Sequence, residues 1–249
     1  MSDSSRLYGS GDSSMPFAII VSHVASRSIA LARLATTRAR EYNSARAFPN
    51  LPDELPDGYS DVPAGKIASV VTYLQAFERP PLRPAPTNHS WTLRAVPEPS
   101  VDWYRDLFHR IGDDWLWFSR LTLTDEALRS IIQDPLVEIR TLRVGDRDDG
   151  LLELDFRVEG ECKLAFLGLT AQLLGQGAGR WMMNRALDLA WARPINRFWL
   201  NTCTLDHQDA LSFYLRSGLV PFRRQVEIAD DPRMTGLVPR TTAPQVPLI

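Results

Sequence analysis

The stretch that decides the fold is Lys163-Leu164-Ala165-Phe166-Leu167-Gly168-Leu169-Thr170-Ala171-Gln172-Leu173-Leu174-Gly175-Gln176-Gly177-Ala178-Gly179-Arg180-Trp181-Met182-Met183-Asn184-Arg185-Ala186-Leu187-Asp188-Leu189-Ala190-Trp191. It reads as an apolar strand, a short loop, a glycine turn and a helix. Glycines alternate at Gly175, Gly177 and Gly179, where the strand hands over to the helix. Glycine allows a sharp turn and lets a ligand approach the amides with no Cβ in the way. The first amides of a helix have no intrahelical partner and sit at the positive end of its dipole. Such a turn is a site for a phosphate or pyrophosphate. The same residues also suit a helix start that only packs closely, and this block alone does not separate the two.

The turn lacks the Gly-Lys-Ser/Thr ending that would bring a nucleoside triphosphate and magnesium. Its G-x-G-x-G alternation also differs from the G-x-G-x-x-G of dinucleotide-binding folds. A second block follows: Trp199-Leu200-Asn201-Thr202-Cys203-Thr204-Leu205-Asp206-His207-Gln208-Asp209-Ala210-Leu211-Ser212-Phe213-Tyr214-Leu215-Arg216-Ser217-Gly218-Leu219-Val220-Pro221-Phe222. It reads as a strand followed by a short helix.

Together the two blocks resemble the GNAT (GCN5-related N-acetyltransferase) superfamily. That family carries R/Q-x-x-G-x-G/A after its fourth strand and N-x-x-A-hydrophobic-x-x-Y-x-x-x-G-F after its fifth. Gly177 and Gly179 match the first motif, with Leu174 standing where Arg or Gln is usual. Ala210, Leu211, Tyr214 and Gly218 match the second, with His207 at the usual Asn and Leu219 at the usual Phe. The resemblance covers residues 88–249. It implies an α/β GNAT (acyl-CoA N-acyltransferase) fold, with a mixed central sheet flanked by helices.

It also implies acetyl-CoA as co-substrate and direct transfer of acetyl to a primary amine of a small molecule or peptide. The backbone of Leu167, Gly168 and Leu169 would pair with the pantetheine arm. Leu174, Gly175, Gln176, Gly177, Ala178, Gly179 and Arg180 would hold the pyrophosphate, and His207 would face the cofactor arm. Tyr214 corresponds to the family tyrosine that reprotonates the leaving sulfur, and a phenol with a pKa near 10 is protonated at neutral pH. The base is sought among carboxylates acting through water. Glu161 opens the fourth strand, while Glu153 and Asp155 share one side of the third. Each also reads as a solvated strand end. In this family the loop after the first helix lines the acceptor pocket; here it offers Asp113, Trp115 and Trp117, aromatic faces and a carboxylate suited to a cationic amine. These aromatics also suit an ordinary core. The alternative from another class is a non-catalytic acetyl-CoA sensor or interaction module of the same fold.

Composition bounds the rest. A hydrophobic share of 44% with 7 tryptophans supports a real core. A net charge of −2 gives no general case for nucleic-acid or membrane binding. Cys162 and Cys203, with 4 scattered histidines, offer no metal-ligand spacing. A reducing, cytoplasmic setting is the expectation. No apolar run approaches the roughly 18 residues of a membrane span.

Residues 1–65 read as an N-terminal extension. Its first 14 residues are Ser-, Gly- and Asp-rich, as in disordered segments. Residues 15–40 are Arg-rich and acid-free like a targeting peptide, yet Asp3 and Asp12 precede them, so a surface helix or loose extension is expected. Residues 66–87 read as an extra strand and a stiff linker with Pro80, Pro81, Pro84 and Pro86. From residue 88 the periodicities run β-α-α-β-β-β-α-β-α-β, including strands over 136–144 and 150–158 joined by a turn at 145–150. The Pro-rich tail after Asp230 is expected to lie over the domain or over a second subunit, so a homodimer is one arrangement it allows.

Overall fold

Alternating apolar residues in the strands and helical spacing between them build one seven-stranded mixed sheet with helices on both faces. The computed structural model describes residues 57–249, so the expectations for residues 1–56 lie outside the described residues. In chain order the elements are β1 (Lys66–Ala76), β2 (Trp91–Ala95), α1 (Val101–Gly112), α2 (Asp125–Ile132), β3 (Val137–Val144), β4 (Arg147–Asp155), β5 (Glu161–Leu169), α3 (Ala178–Trp191), β6 (Arg197–Cys203), α4 (Ala210–Arg216) and β7 (Val220–Asp230). The sheet order is β2-β3-β4-β5-β6-β1-β7, and the pair β5–β6 is parallel while its neighbours are antiparallel.

Local chemistry accounts for the helix starts. Ser100 Oγ accepts from the Trp103 amide at 3.2 Å and opens α1. Thr124 Oγ1 accepts from the Ala127 amide at 3.3 Å and opens α2. Each bond satisfies an amide that the helix leaves free. The turn expected at 145–150 is tighter than its acidic composition suggests. Gly145 at φ 61° and Asp146 form a two-residue hairpin loop, and Arg147 already pairs with Val144.

The sheet separates two apolar clusters. On one face Leu152, Leu154, Cys162 and Leu164 meet Met182, Met183, Ala186 and Leu187 of α3. On the other, Ile139 and Leu151 meet Tyr104, Leu107, Phe108 and Ile111 of α1 and Leu128 of α2. Glu153 falls on this second face by strand alternation and is fully buried. Tyr104 donates its hydroxyl to Glu153 Oε2 at 2.5 Å, and Arg120 pairs with Oε1. These partners stand in for the water that the carboxylate loses.

The extra strand expected ahead of the domain lies inside the sheet. β1 pairs with β6 from Val71↔Cys203 to Ala76↔Phe198, and with β7 from Lys66↔Asp230 to Gln75↔Val220. The proline-rich segment after it runs as a strap down the outer face of α3. Arg79 pairs with Asp188; the Asn184 amide brackets the Arg83 backbone, with bonds of 3.3 Å to its N–H and 2.7 Å to its carbonyl. His89 and Trp91 then pack on Trp181, with ring centroids 5.2 and 6.1 Å away. Asp188, Asn184 and Trp181 recur at four- and three-residue steps, so they share one helix face.

The C-terminal tail closes over the α1 side of its own domain. Buried Arg233 pairs with Asp231 at 2.7 Å and donates to the carbonyl of Val246 at 2.8 Å. Gln245 donates to the Asp114 carbonyl at 2.8 Å, and Val238 and Ala243 enter the second core.

Leu74, on β1, is fully buried in the α3-side core. Leu74→Ala is expected to cost about 2–5 kcal/mol, read as a lowered denaturation midpoint at unchanged slope. A loss below about 0.5 kcal/mol would show β1 to be a dispensable addition.

Candidate functional site

β5 and β6 stay together for three residue pairs, Glu161↔Arg197, Cys162↔Phe198 and Lys163↔Trp199. Beyond Lys163 the two strands part. The pairing of β5 with β4 slips between Glu153 and Leu154, which places Ala165 as an extra residue on β5. A bulge of this kind bends its strand and increases the local twist. The backbone of β5 from Phe166 onward therefore faces open space on the side where β6 would have continued.

Trp117 fills the root of that opening. Its ring centroid lies 5.3 Å from that of Phe166. A Cβ at Gly168 would stand 2.7 Å from its Cη2 and 2.4 Å from Ile111 Cγ2, so only glycine fits there. Its indole N–H donates to Asp206 Oδ1 at 3.0 Å. Asp206 Oδ2 accepts from Thr202 Oγ1 at 2.6 Å and from the Cys203 amide at 2.9 Å. Trp117 thus ties the loop after α1 to the end of β6 across the gap.

The gap widens into a groove of about 660 Å³. The expected cofactor residues Leu167, Gly168, Leu169, Leu174, Gly175, Gln176, Gly177, Gly179, Arg180 and His207 line it, with Ala178 buried at the helix start between them. Gly175 and Gly177 have φ of 75° and 85°, left-handed values that carry steric strain for a side chain. The first backbone bond of α3 runs from the Trp181 amide to Gly177 O at 3.0 Å. The amides of Ala178, Gly179 and Arg180 precede it, and they are the donors that a helix start leaves without an intrahelical partner. Gln176 turns its side chain back onto the Gln172 carbonyl at 2.6 Å. His207 accepts at Nδ1 from the Asp209 amide at 3.1 Å, which puts the proton of the neutral ring on Nε2; its ring sits edge-on to Trp115 at 5.1 Å.

Tyr214 lines the groove. Burial, and then the nearby Asp206 carboxylate, push its phenol above the ordinary value of 10. Cys203 also lines the groove, where burial raises its thiol and keeps it protonated at neutral pH.

The expected carboxylates are not brought there. Glu161 is buried at the opposite end of β5, with Arg197 Nη1 3.4 Å from its Oε2, and it is absent from the groove lining. Desolvation with an arginine partner is a structural role for it, and it removes the base expected there. Asp113 faces away from the groove and takes His109 Nδ1 at 2.9 Å on α1. Glu153, engaged by Tyr104 and Arg120, is also outside it. Trp115 and Trp117 do line the groove, without the acid that the sequence places beside them. Residues missed by sequence reasoning include Val71, Arg83, Asn201, Asp206, Arg216 and Glu227. Val71 comes from β1, beside β6, and Glu227 from β7, beside β1, and no local signal states either placement.

Residues 140–219 match the model of the acetyltransferase (GNAT) family. This span runs from β3 through α4 and contains both glycine turn and Tyr214. Among solved structures, a GCN5-related N-acetyltransferase from Sphaerobacter thermophilus aligns with a TM-score of 0.48 and 15% identity over 67% of this chain and 51% of its own. One from Kribbella flavida aligns with a TM-score of 0.44 and 16% identity over 69% of this chain and 63% of its own. An aminoglycoside acetyltransferase from an uncultured soil metagenomic sample, in complex with sisomicin, aligns with a TM-score of 0.43 and 11% identity over 51% of this chain and 86% of its own. The chain thus spans 51% and 63% of the lengths of the first two. No curated protein matches it.

The Gly168 contact is open to test. Gly168→Ala is expected to displace Trp117, cost about 1–3 kcal/mol of stability and change the near-ultraviolet circular dichroism of the tryptophans. An alanine tolerated with an unchanged spectrum would contradict the wedge.

Proposed function

From the premise that residues 140–219 are a GNAT acetyltransferase match, we propose that the chain is an acetyl-CoA-dependent N-acetyltransferase that acts on a primary amine by direct transfer. The observation that carries the reading is the parting of β5 from β6 above a glycine turn at a helix start, with Tyr214 beside the opening. The residues present fit the donor. The Phe166–Leu169 backbone offers an unpaired strand edge for the amide-bearing pantetheine arm. The turn from Gly175 to Arg180 offers amides to the pyrophosphate, and among the described residues Arg180 Nε is buried without a hydrogen-bond partner.

In this reading the groove holds the thioester with its sulfur toward Tyr214 and its carbonyl toward the β5 backbone. The amine nitrogen bonds to the carbonyl carbon and the carbon–sulfur bond breaks. Tyr214 gives its proton to the departing sulfur, and its raised pKa keeps that proton available well into alkaline solution. The protonated thiol of Cys203 is a poor nucleophile, in keeping with direct transfer.

The acceptor side is bounded by Trp115, Phe118, Asn201 and Glu227. Aromatic faces with one carboxylate suit an ammonium or its neutral amine, a small molecule or a peptide amino group. Glu227, a residue of the groove lining, replaces Asp113 as the carboxylate of this reading, in which it takes the proton that the attacking amine sheds.

Isothermal titration with acetyl-CoA, followed by thiol release across a panel of amines, tests the proposal. Tyr214→Phe is expected to keep acetyl-CoA affinity within about threefold and to lower kcat by about 10²-fold or more. The wild-type rate should show no loss attributable to this tyrosine below pH 10, its ordinary pKa. Glu227→Gln is expected to lower kcat by about 10²-fold and to raise the acceptor KM by about tenfold, at unchanged acetyl-CoA affinity. Binding without turnover for every amine would favour the sensor reading, and absence of acetyl-CoA binding would overturn both.

A further inference from the structure

Three arginines from three separate elements line the groove close to one another: Arg83 of the strap, Arg180 at the start of α3 and Arg216 of α4. The Arg83 backbone is bracketed by the Asn184 amide at 3.3 and 2.7 Å. Arg180 Nη2 lies 3.4 Å from where a Cβ on Gly177 would stand, so its guanidinium crosses the mouth of the glycine turn. Arg216 Nη1 donates to Ser212 Oγ at 2.8 Å. Among the described residues none of the three makes an ion pair, whereas Arg79, Arg120, Arg157, Arg197 and Arg233 all do. Arg180 also keeps a buried Nε with no partner among the described residues.

Like charges gathered without a counter-charge repel one another. Arg83 carries the mark of this: its pKa is lowered by burial first and then by Arg180 and Arg216. An anion in their midst relieves the repulsion and meets forked donors matched to phosphate geometry. Coenzyme A brings three phosphates, two joined in its pyrophosphate and one as a 3′-monoester. The pyrophosphate is matched by the amides of the turn. A terminal phosphate monoester carries about −1.5 to −2 charge at pH 7 and three acceptor oxygens, and the amides of a single helix start do not neutralise both.

We propose that Arg83, Arg180 and Arg216 form a clamp for the 3′-phosphate of the coenzyme A donor, one arm of which is supplied by the strap. The inference rests on the acetyl-CoA reading above. It gives the strap a purpose beyond packing: Pro86 touches the turn, its Cγ 2.8 Å from a Cβ built on Gly177, and the Asn184 bracket sets Arg83 over the groove. It also explains how the site tolerates Leu174 where the family has a polar side chain, since charge reaches the phosphates from the strap and from α4.

The test measures binding of acetyl-CoA and of 3′-dephospho-acetyl-CoA to the full chain, as wild type, Arg83→Ala and Arg83→Lys. Wild type is expected to favour acetyl-CoA by about tenfold or more. Arg83→Ala should lose most of that preference by weakening acetyl-CoA about tenfold while 3′-dephospho-acetyl-CoA stays within about twofold, and Arg83→Lys should recover part of it. Thermal melting at the wild-type temperature shows that the strap remains seated; Arg216→Ala, on a different element, should reproduce the selective loss. Equal binding of the two donors by wild type, or equal weakening of both in Arg83→Ala and in Arg216→Ala, overturns the clamp and leaves the acetyl-CoA reading standing. Absence of binding for either donor in wild type overturns that reading and the clamp with it.

Discussion

The separation of β5 from β6 after three paired residues is the constraint on which the rest of this structure depends. A parallel pair that continued would close the sheet and leave no groove. Two features hold it open. The extra residue at Ala165 bends β5, and Trp117 occupies the space so created, tied to Asp206 by its indole N–H at 3.0 Å. Neither is sufficient alone. The bend needs a filler to avoid a void, and the filler needs Gly112 and Gly168, at both of which a Cβ would come within 2.8 Å of its side chain. Close packing makes such a wedge an all-or-none arrangement.

Around that opening the protein distributes charge by depth. Glu153 and Glu161 are almost fully desolvated, and each is met by an arginine, Arg120 and Arg197. An unmet carboxylate in such a place costs several kcal/mol, on the order of 3–5. The arginines Arg83, Arg180 and Arg216 differ: they line a cavity, and among the described residues none of them pairs with a carboxylate. The same residue type therefore neutralises a buried carboxylate in one place and faces a cavity in another.

Much of this was legible in the chain. The helix starts at Ser100 and Thr124 follow from capping chemistry, and the G-x-G-x-G turn before α3 follows from the backbone freedom of glycine. The alternation that places Leu152 and Leu154 opposite Leu151 and Glu153 is a property of any strand. The roles of individual carboxylates were not legible. Glu161, Glu153 and Asp113 carry the same functional group as Asp206 and Glu227. Which of them meets an arginine, a histidine or a groove depends on elements distant in sequence: Arg197 is 36 residues from Glu161 and Tyr104 is 49 from Glu153.

Sequence by itself determined the local grammar: which segments are strands or helices, where a glycine turn opens a helix, and which tyrosine follows it in register. These are short-range properties, set by dihedral preference, capping and periodicity within one or two turns of chain. Tertiary structure alone decided that Lys66–Ala76 enters the sheet between β6 and β7, and that the proline-rich segment becomes a strap carrying Arg83 to the groove. The physical reason is that a strand's pairing partners and an extended segment's docking face are chosen by the surface the remaining chain leaves unburied. No window of sequence contains that surface.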